Sequence, residues 1–314
     1  MNAFLKSVVI CMAVLPAATS CLSDNQWRTD SGAVWGTTYH ITYRSDADLS
    51  DSIIAVTNEI NESLSMFSQS STVARVNSGS SDTVDKHFKE VHSLACQVNI
   101  ASGGMFDPTV APLVDLWGFG RKGRDTALPD SADVADALAR VGIFKSRVDG
   151  DRIVRDNPAI EFDFSAIAKG YGVDCVAAML RRNGCDDFMV EIGGEVALSG
   201  HNPRGSMWRI QVDAPSPGCA PGDSALMIID NTDCAIATSG NYRNFRVDSG
   251  HIYGHTINPV TGYPAQQKVL SATVIAPSCA LADALATAIM ASDPDSVDRL
   301  REAFPSVIFH IATP

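Results

Sequence analysis

Apolar residues recur along the chain with two periods, one near 3.6 and one of 2, and these divide it into helices and strands. Gly36 to Tyr43 (GTTYHITY) alternates and is rich in β-branched and aromatic residues, which predicts a strand. Ser50 to Met66 sets Ile53, Val56, Ile60 and Leu64 on one helical face. Asp85 to Ala101 does the same with Phe88, Val91, Leu94 and Val98, and stops at Gly103-Gly104. Ser131 to Val141 predicts a short helix, and Arg147 to Arg155 a hairpin turning at Asp149-Gly150. Ile160-Glu161-Phe162-Asp163-Phe164 alternates strictly, which predicts a strand with Asp163 on the face away from the apolar side chains. Ser165 is placed to cap a helix that runs to Asn183-Gly184. Phe188 to Ile192, Trp208 to Val212, Leu226 to Ile229, Cys234 to Thr238 and Val307 to Ile311 read as strands, and Ser278 caps a last helix through Ala291. Helices and strands mix without regular βαβ alternation. The expected fold is α+β: a mixed, largely antiparallel sheet packed with helices, in one compact domain of two lobes.

The N-terminus follows another pattern. Lys6 precedes an apolar run from Val8 to Ala18. A bilayer-spanning helix needs about 18 or more apolar residues, so the run fits a secretory signal instead. It ends in Ala18-Thr19-Ser20-Cys21, which resembles a lipobox with Cys21 as the lipidated residue. The competing reading is an ordinary signal cut near Ser20. The expected division is therefore a signal over 1–20, a polar tether over 21–32 and one folded domain over 33–314. The expected address is extracytoplasmic, on the periplasmic side, held to the membrane by lipid on Cys21.

Composition narrows the function. The chain has 314 residues, 45% of them hydrophobic, and a net charge of −12. Such an acidic surface repels phosphate backbones, so no nucleic-acid partner is expected. A nucleotide can still bind where backbone N–H groups, a lysine or a metal supply a local positive field. None of the eight cysteines forms a C-x-x-C pair. Cys219 and Cys234 flank one strand and are candidates to pair, while Cys175 and Cys279 sit in apolar helical runs and read as core.

Three segments carry candidate chemistry. In Ser278 to Met290 (SCALADALATAIM), Asp283 and Thr287 lie one turn apart on a helix that is apolar nearly all round. A buried carboxylate must find a cation, a donor or a proton. Carboxylate plus hydroxyl suits Mg²⁺ or Ca²⁺; backbone N–H groups of a neighbouring loop would serve equally. Asp163 to Gly172 (DFSAIAKGYG) runs from a carboxylate into a helix start with Lys169, which offers N–H donors to phosphate, or a plain Asp163–Lys169 salt bridge. Ser102 to Gly120 (SGGMFDPTVAPLVDLWGFG) has glycines for close backbone approach and aromatics that suit a flat ring or an apolar core. His255, in a Gly-flanked turn, is a candidate acid–base group.

Taken in order, GTTYHITY, MFSQSSTVARVN, GGMFDPTVAPLVDLWGFG, FDFSAIAKGYGVD, EIGGEVALSG, AIATSGNYRNF, HTINPVTGYP and CALADALATAIM resemble the ApbE family of FAD:protein FMN transferases. The resemblance spans about residue 33 to the C-terminus. It implies Mg²⁺-dependent transfer of FMN from FAD to a threonine hydroxyl of an acceptor protein, forming a phosphoester and releasing AMP. It implies metal ligands at Ala166, Asp283, Ala286 and Thr287. It implies FAD contacts at Trp35, Phe67, Met105, Phe106, Asp107, Asp163, Lys169 and Ile257, and His255 as the base. Trp35 stands where the family usually has Met, and Asn258 where it often has Asp. No segment of this chain resembles an acceptor sequence, so the expected partners are other proteins, flavoprotein subunits of membrane redox complexes. An extracytoplasmic FAD pyrophosphatase and a non-catalytic flavin-binding lipoprotein are the competing functions.

Overall fold

Every neighbouring pair in the main sheet of the computed structural model is antiparallel, as the alternating segments predict. The structure describes residues 26–120, 128–215, 222–240, 245–248, 251–265, 269–292 and 294–313. In chain order the strands are β1 (Trp27–Val34), β2 (Thr37–Arg44), β3 (Ser146–Asp149), β4 (Arg152–Arg155), β5 (Phe188–Ile192), β6 (Glu195–Ser199), β7 (Trp208–Asp213), β8 (Ala225–Asn231), β9 (Ala235–Gly240), β10 (Phe245–Asp248), β11 (His251–Gly254), β12 (Ser271–Ala276) and β13 (Ile308–Ala312). The helices are α1 (Ser50–Leu64), α2 (Thr72–Asn77), α3 (Lys86–Ala101), α4 (Ala111–Leu116), α5 (Ser131–Leu138), α6 (Ala168–Arg182), α7 (Cys279–Ala291) and α8 (Pro294–Ala303). Seven strands form one sheet in the order β1-β2-β5-β6-β9-β12-β13; β3–β4, β7–β8 and β10–β11 are separate ribbons.

Alternation along the central strands sends side chains to two faces. On one, Ala197 and Ala235 pack with α6, and Ala237 with the core around α7. On the other, Val196, Leu198 and Ile236 pack under the β7–β8 ribbon with Trp208, Val212 and Ile229. A smaller separate core joins Leu113 and Trp117 to Val134, Ala137 and Ile257, and forms the second lobe.

Three expectations change. The segment read as tether contains Trp27 to Ser31, which belong to β1, an edge strand paired along its length with β2. Its polar composition reflects one solvated face, since exposed and half-buried residues alternate through most of it. Ile160 to Phe164 is not a strand. Ile160, Phe162 and Phe164 are fully buried, as the alternation requires, but the Asn77 side-chain amide replaces a neighbouring strand. Its Oδ1 accepts from Phe162 N (2.8 Å) and its Nδ2 donates to Phe162 O (2.8 Å). Ser165 does not cap α6, which starts at Ala168 after Ile167. Cys21 and Cys219 lie outside the described residues. Cys96, Cys175, Cys185, Cys234 and Cys279 are free thiols.

The α6–α7 contact sets the centre of the molecule. A Cβ added at Gly170 would lie 2.3 Å from Cys279 O, so only glycine lets the two helices approach this closely. Asp174 of α6 caps the start of α7, accepting from Cys279 N and Ala280 N at 2.8 Å each. Ser278 Oγ accepts from Leu281 N, as its position predicts. Burial pushes the Asp174 carboxyl up to about 6, against the pull of those two N–H groups. The folded chain therefore binds this proton more tightly than the unfolded chain. The resulting stability is complete below the unfolded value of 3.8 and is lost as pH rises through about 6. Asp174→Ala is expected to lower stability by about 3 kcal/mol, because two helix N–H groups lose their side-chain acceptor. The gap to the parent should be wider at acid pH than at neutral pH, and thermal melts of both proteins at each pH check this.

Candidate active site

Between the main core and the smaller lobe lies a cavity of about 480 Å³, within the range of small-molecule sites. Its walls come from distant parts of the sequence. Met66 and Phe67 follow α1, and Met105 to Asp107 follow α3. Asp163, Ala166 and Lys169 lead into α6, and Thr238 to Gly240 end β9. His255 to Ile257 follow β11, and Asp283 and Thr287 project from α7. Eleven of the thirteen residues singled out from the sequence thus border one space.

The exceptions are Trp35 and Ala286. Trp35 turns away from the cavity, at the β1–β2 turn. Its Nε1 donates to Thr57 O (3.1 Å), and its ring fills a slot that a Cβ at Gly172 would occupy, 2.1 Å from Cη2. A long-range fit between an indole and a glycine therefore fixes Trp35 against α1 and α6. Ala286, three residues on from Asp283 along α7, is fully buried in the main core and brings only a methyl group.

Charge concentrates where α6 meets α7. Asp283 is 3% exposed, and its Oδ2 accepts from Gly170 N (3.1 Å). Lys169 Nζ is held by Glu195 Oε1, not by Asp163, whose Oδ1 accepts instead from Ser165 N (2.8 Å). Burial raises the carboxyl pKa of Asp283, and the Lys169 ammonium opposes that rise. Glu195 shows the same two effects in the same order. Lys169 itself is desolvated, yet the two carboxylates outweigh this and hold its pKa above the ordinary value. One ammonium thus serves two buried carboxylates. Among the described residues Glu195 Oε2 is buried without a hydrogen-bond partner, and Glu195 borders the cavity.

Other candidates act through the walls. The Asp107 carboxylate is spent on the loop: Oδ1 accepts from Thr109 N (2.8 Å) and Thr109 Oγ1 (2.5 Å), and Oδ2 from Ile143 N (2.9 Å) and Asn99 Nδ2 (3.3 Å). Phe106 and Ile257 are buried wall residues, whereas Phe67 stands 81% exposed at the rim. His255 is half-buried with its ring edge toward Phe119 (6.4 Å). Asn258 organises its turn: Oδ1 accepts from Val260 N (2.9 Å) and Thr261 N (3.0 Å), and Nδ2 donates to Ala291 O (3.3 Å).

The donors around Asp283 are oxygens: its own carboxylate and the Thr287 hydroxyl, 3.4 Å from Ser239 Oγ. Among the described residues no group of three or more His, Cys, Asp or Glu side chains is placed to hold a metal ion. A hard cation with one protein carboxylate completes its shell from phosphate and water oxygens, which is the habit of Mg²⁺. The residues fit such an ion in company with a phosphorylated ligand.

Glu195 was missed as a site residue. All five residues of β6 are buried, so no alternation marks it out, and the only signal was the Gly193-Gly194 turn before it.

The ApbE family model matches residues 35–309. The chain belongs to the ApbE family. It is 36% identical to the FAD:protein FMN transferase of Vibrio cholerae over 91% of this chain and 87% of that one. With the Haemophilus influenzae protein of the same name it shares 32% identity, over 94% and 89%. The structure of the flavin transferase ApbE from Vibrio cholerae superposes with a TM-score of 0.81 at 34% identity, covering 92% of this chain and 94% of that one. The apo form of the flavinyl transferase ApbE from Pseudomonas stutzeri gives 0.82 at 31% identity, covering 92% of each.

Lys169→Met is expected to destabilise the fold by about 3–5 kcal/mol, because Glu195 and Asp283 lose their shared cation inside the protein. Adding Glu195→Leu should recover part of the loss. Urea unfolding of the single and double variants measures both steps, and equal midpoints for parent and single variant would refute the shared-cation account.

Proposed function

We propose that this ApbE-family chain is a FAD:protein FMN transferase that moves FMN from FAD to a threonine hydroxyl of an acceptor protein. The observation that carries this is the cavity itself, where Asp283, Thr287, Lys169 and His255 meet although they are spread over more than a hundred residues. The Vibrio cholerae and Haemophilus influenzae relatives carry transfer of FMN from FAD to protein in their names.

Each residue has a task that follows from its place. Lys169 keeps its charge because Asp283 and Glu195 hold it, so its ammonium remains at the cavity wall as a donor for a diphosphate oxygen. The apolar wall of Met105, Phe106 and Ile257 suits the flat ring system. Phe67, at the rim, can cover it. Asp107 works indirectly, by fixing the loop that carries Met105 and Phe106.

The reaction is a displacement at phosphorus. The acceptor threonine Oγ attacks the FMN-side phosphorus, a new P–O ester bond forms, and the bond to the bridging oxygen breaks. AMP leaves with that oxygen. His255 takes the hydroxyl proton, a general-base role worth about 10²–10⁴ in rate. Asp283 and Thr287, with the carbonyl of Ala166, are the residues that would hold Mg²⁺. That ion, bound with the diphosphate, supplies charge neutralisation for the leaving group.

We also read the chain as a lipoprotein anchored through Cys21, with its acceptors on the extracytoplasmic side among subunits of membrane redox complexes. Residues 1–25 lie outside the described structure, so the motif alone supports this part.

Incubation with FAD, Mg²⁺ and a candidate acceptor should add the mass of one FMN to an acceptor threonine and release AMP. His255→Ala should lower the rate by about 100-fold or more while FAD titration still shows binding. Asp283→Ala should abolish transfer. FMN release with no acceptor present, at the same rate as with it, would overturn the transferase reading in favour of hydrolysis.

A further inference from the structure

The β7–β8 ribbon covers the face of the main sheet opposite α6 and α7, and it has an outer face of its own. Its register pairs Trp208 with Asn231, Ile210 with Ile229 and Val212 with Met227 on the inner side. The outer side has Arg209 opposite Asp230 and Gln211 opposite Ile228, with a bulge near Leu226. On this ribbon Met207 is 51% exposed, Leu226 41% and Ile228 47%. Nothing in the catalytic reading uses these side chains.

A second observation concerns where the N-terminal segment enters the fold. β1 begins at Trp27, whose ring meets Trp208 edge-on with centroids 6.0 Å apart. Cys21 lies six residues earlier. Six residues reach at most about 20 Å when fully extended. The six residues of β7 span about 20 Å as well. A lipid on Cys21 therefore brings the bilayer within reach of the ribbon's whole length. The surface offered there is an amphipathic one, three apolar side chains beside the Arg209–Asp230 pair (3.9 Å), with Arg204 exposed in the loop that leads into β7.

We propose that the outer face of β7–β8 rests on the membrane interface, with Met207, Leu226 and Ile228 at the headgroup–acyl boundary and Arg204 toward anionic phosphates. Three half-exposed side chains are too few to recruit a soluble protein to lipid. They suffice once the tether makes the encounter intramolecular. The ribbon and the charged face of the cavity lie on opposite sides of the sheet: Glu195, Ser239 and Asp283 stand on the α6–α7 side. The orientation thus leaves the catalytic side of the sheet turned away from the lipid. This inference rests on the lipoprotein reading of Cys21, and the test separates the two.

The full lipidated chain is reconstituted into phosphatidylglycerol–phosphatidylethanolamine vesicles whose acyl chains carry bromine, which quenches tryptophan on contact. Ile228→Trp places a reporter on the ribbon, and Ile54→Trp places one on α1, where Ile54 is 46% exposed on the helix side of the sheet. The expected result is quenching of the added Ile228→Trp emission by about twofold or more, with none at Ile54→Trp. Equal quenching at both sites, or none at either, overturns the orientation. Mass spectrometry of the N-terminal peptide runs in parallel. An acylated Cys21 with an unquenched ribbon refutes this inference alone; an unmodified Cys21 refutes the anchor and the inference together. Concentration-dependent burial of the ribbon reporter without vesicles would assign the face to a second copy and also overturn it.

Discussion

Two buried carboxylates share one ammonium at the point where two helices touch, and the rest of the arrangement follows from that constraint. Asp283 and Glu195 would be costly inside a protein unless a cation were fixed between them. Lys169 supplies it because Gly170, next in sequence, has no side chain to hold α6 away from α7. The same close approach lets Gly170 N reach Asp283 and Asp174 reach the first N–H groups of α7. Packing and electrostatics are one problem here. A larger residue at 170 would move the lysine, both carboxylates and the helix cap at once.

Much of this was legible in the sequence, for a definable reason. An almost wholly apolar helix with one carboxylate announces a buried charge, and α7 is that helix, begun by Ser278 as expected. The Ile160–Phe164 segment shows what periodicity does and does not report. Alternation marks which side chains go inward, but it is silent on what satisfies the backbone, and Asn77 does so here in place of a strand. Glu195 escaped notice because a strand buried on both faces has no polar rhythm to interrupt. Trp35 does not border the cavity, because the slot that receives its ring exists only once Gly172, far along the chain, is brought beside it. Trp27 to Ser31 looked like tether because a strand at the edge of the sheet keeps one face wet. In each case the missing information was a contact between residues distant in sequence.

The family resemblance and the geometry support each other without being the same argument. Homology brings a flavin transferase reading to the chain. The cavity shows why those motifs travel together, since residues from seven separated segments close around one volume. It also sorts their roles: Asp107 and Asn258 spend their polar atoms on holding loops in shape.

The thiols described in the fold have a practical bearing on how the protein matures. Cys96, Cys175, Cys185, Cys234 and Cys279 are free thiols, so no covalent cross-link among them contributes to the folded body. Its stability comes from packing and the buried charge cluster, and neither changes with redox potential. These five positions therefore need no oxidation step to reach the arrangement seen here, and oxidants that scramble disulfide scaffolds have no bridge among them to attack.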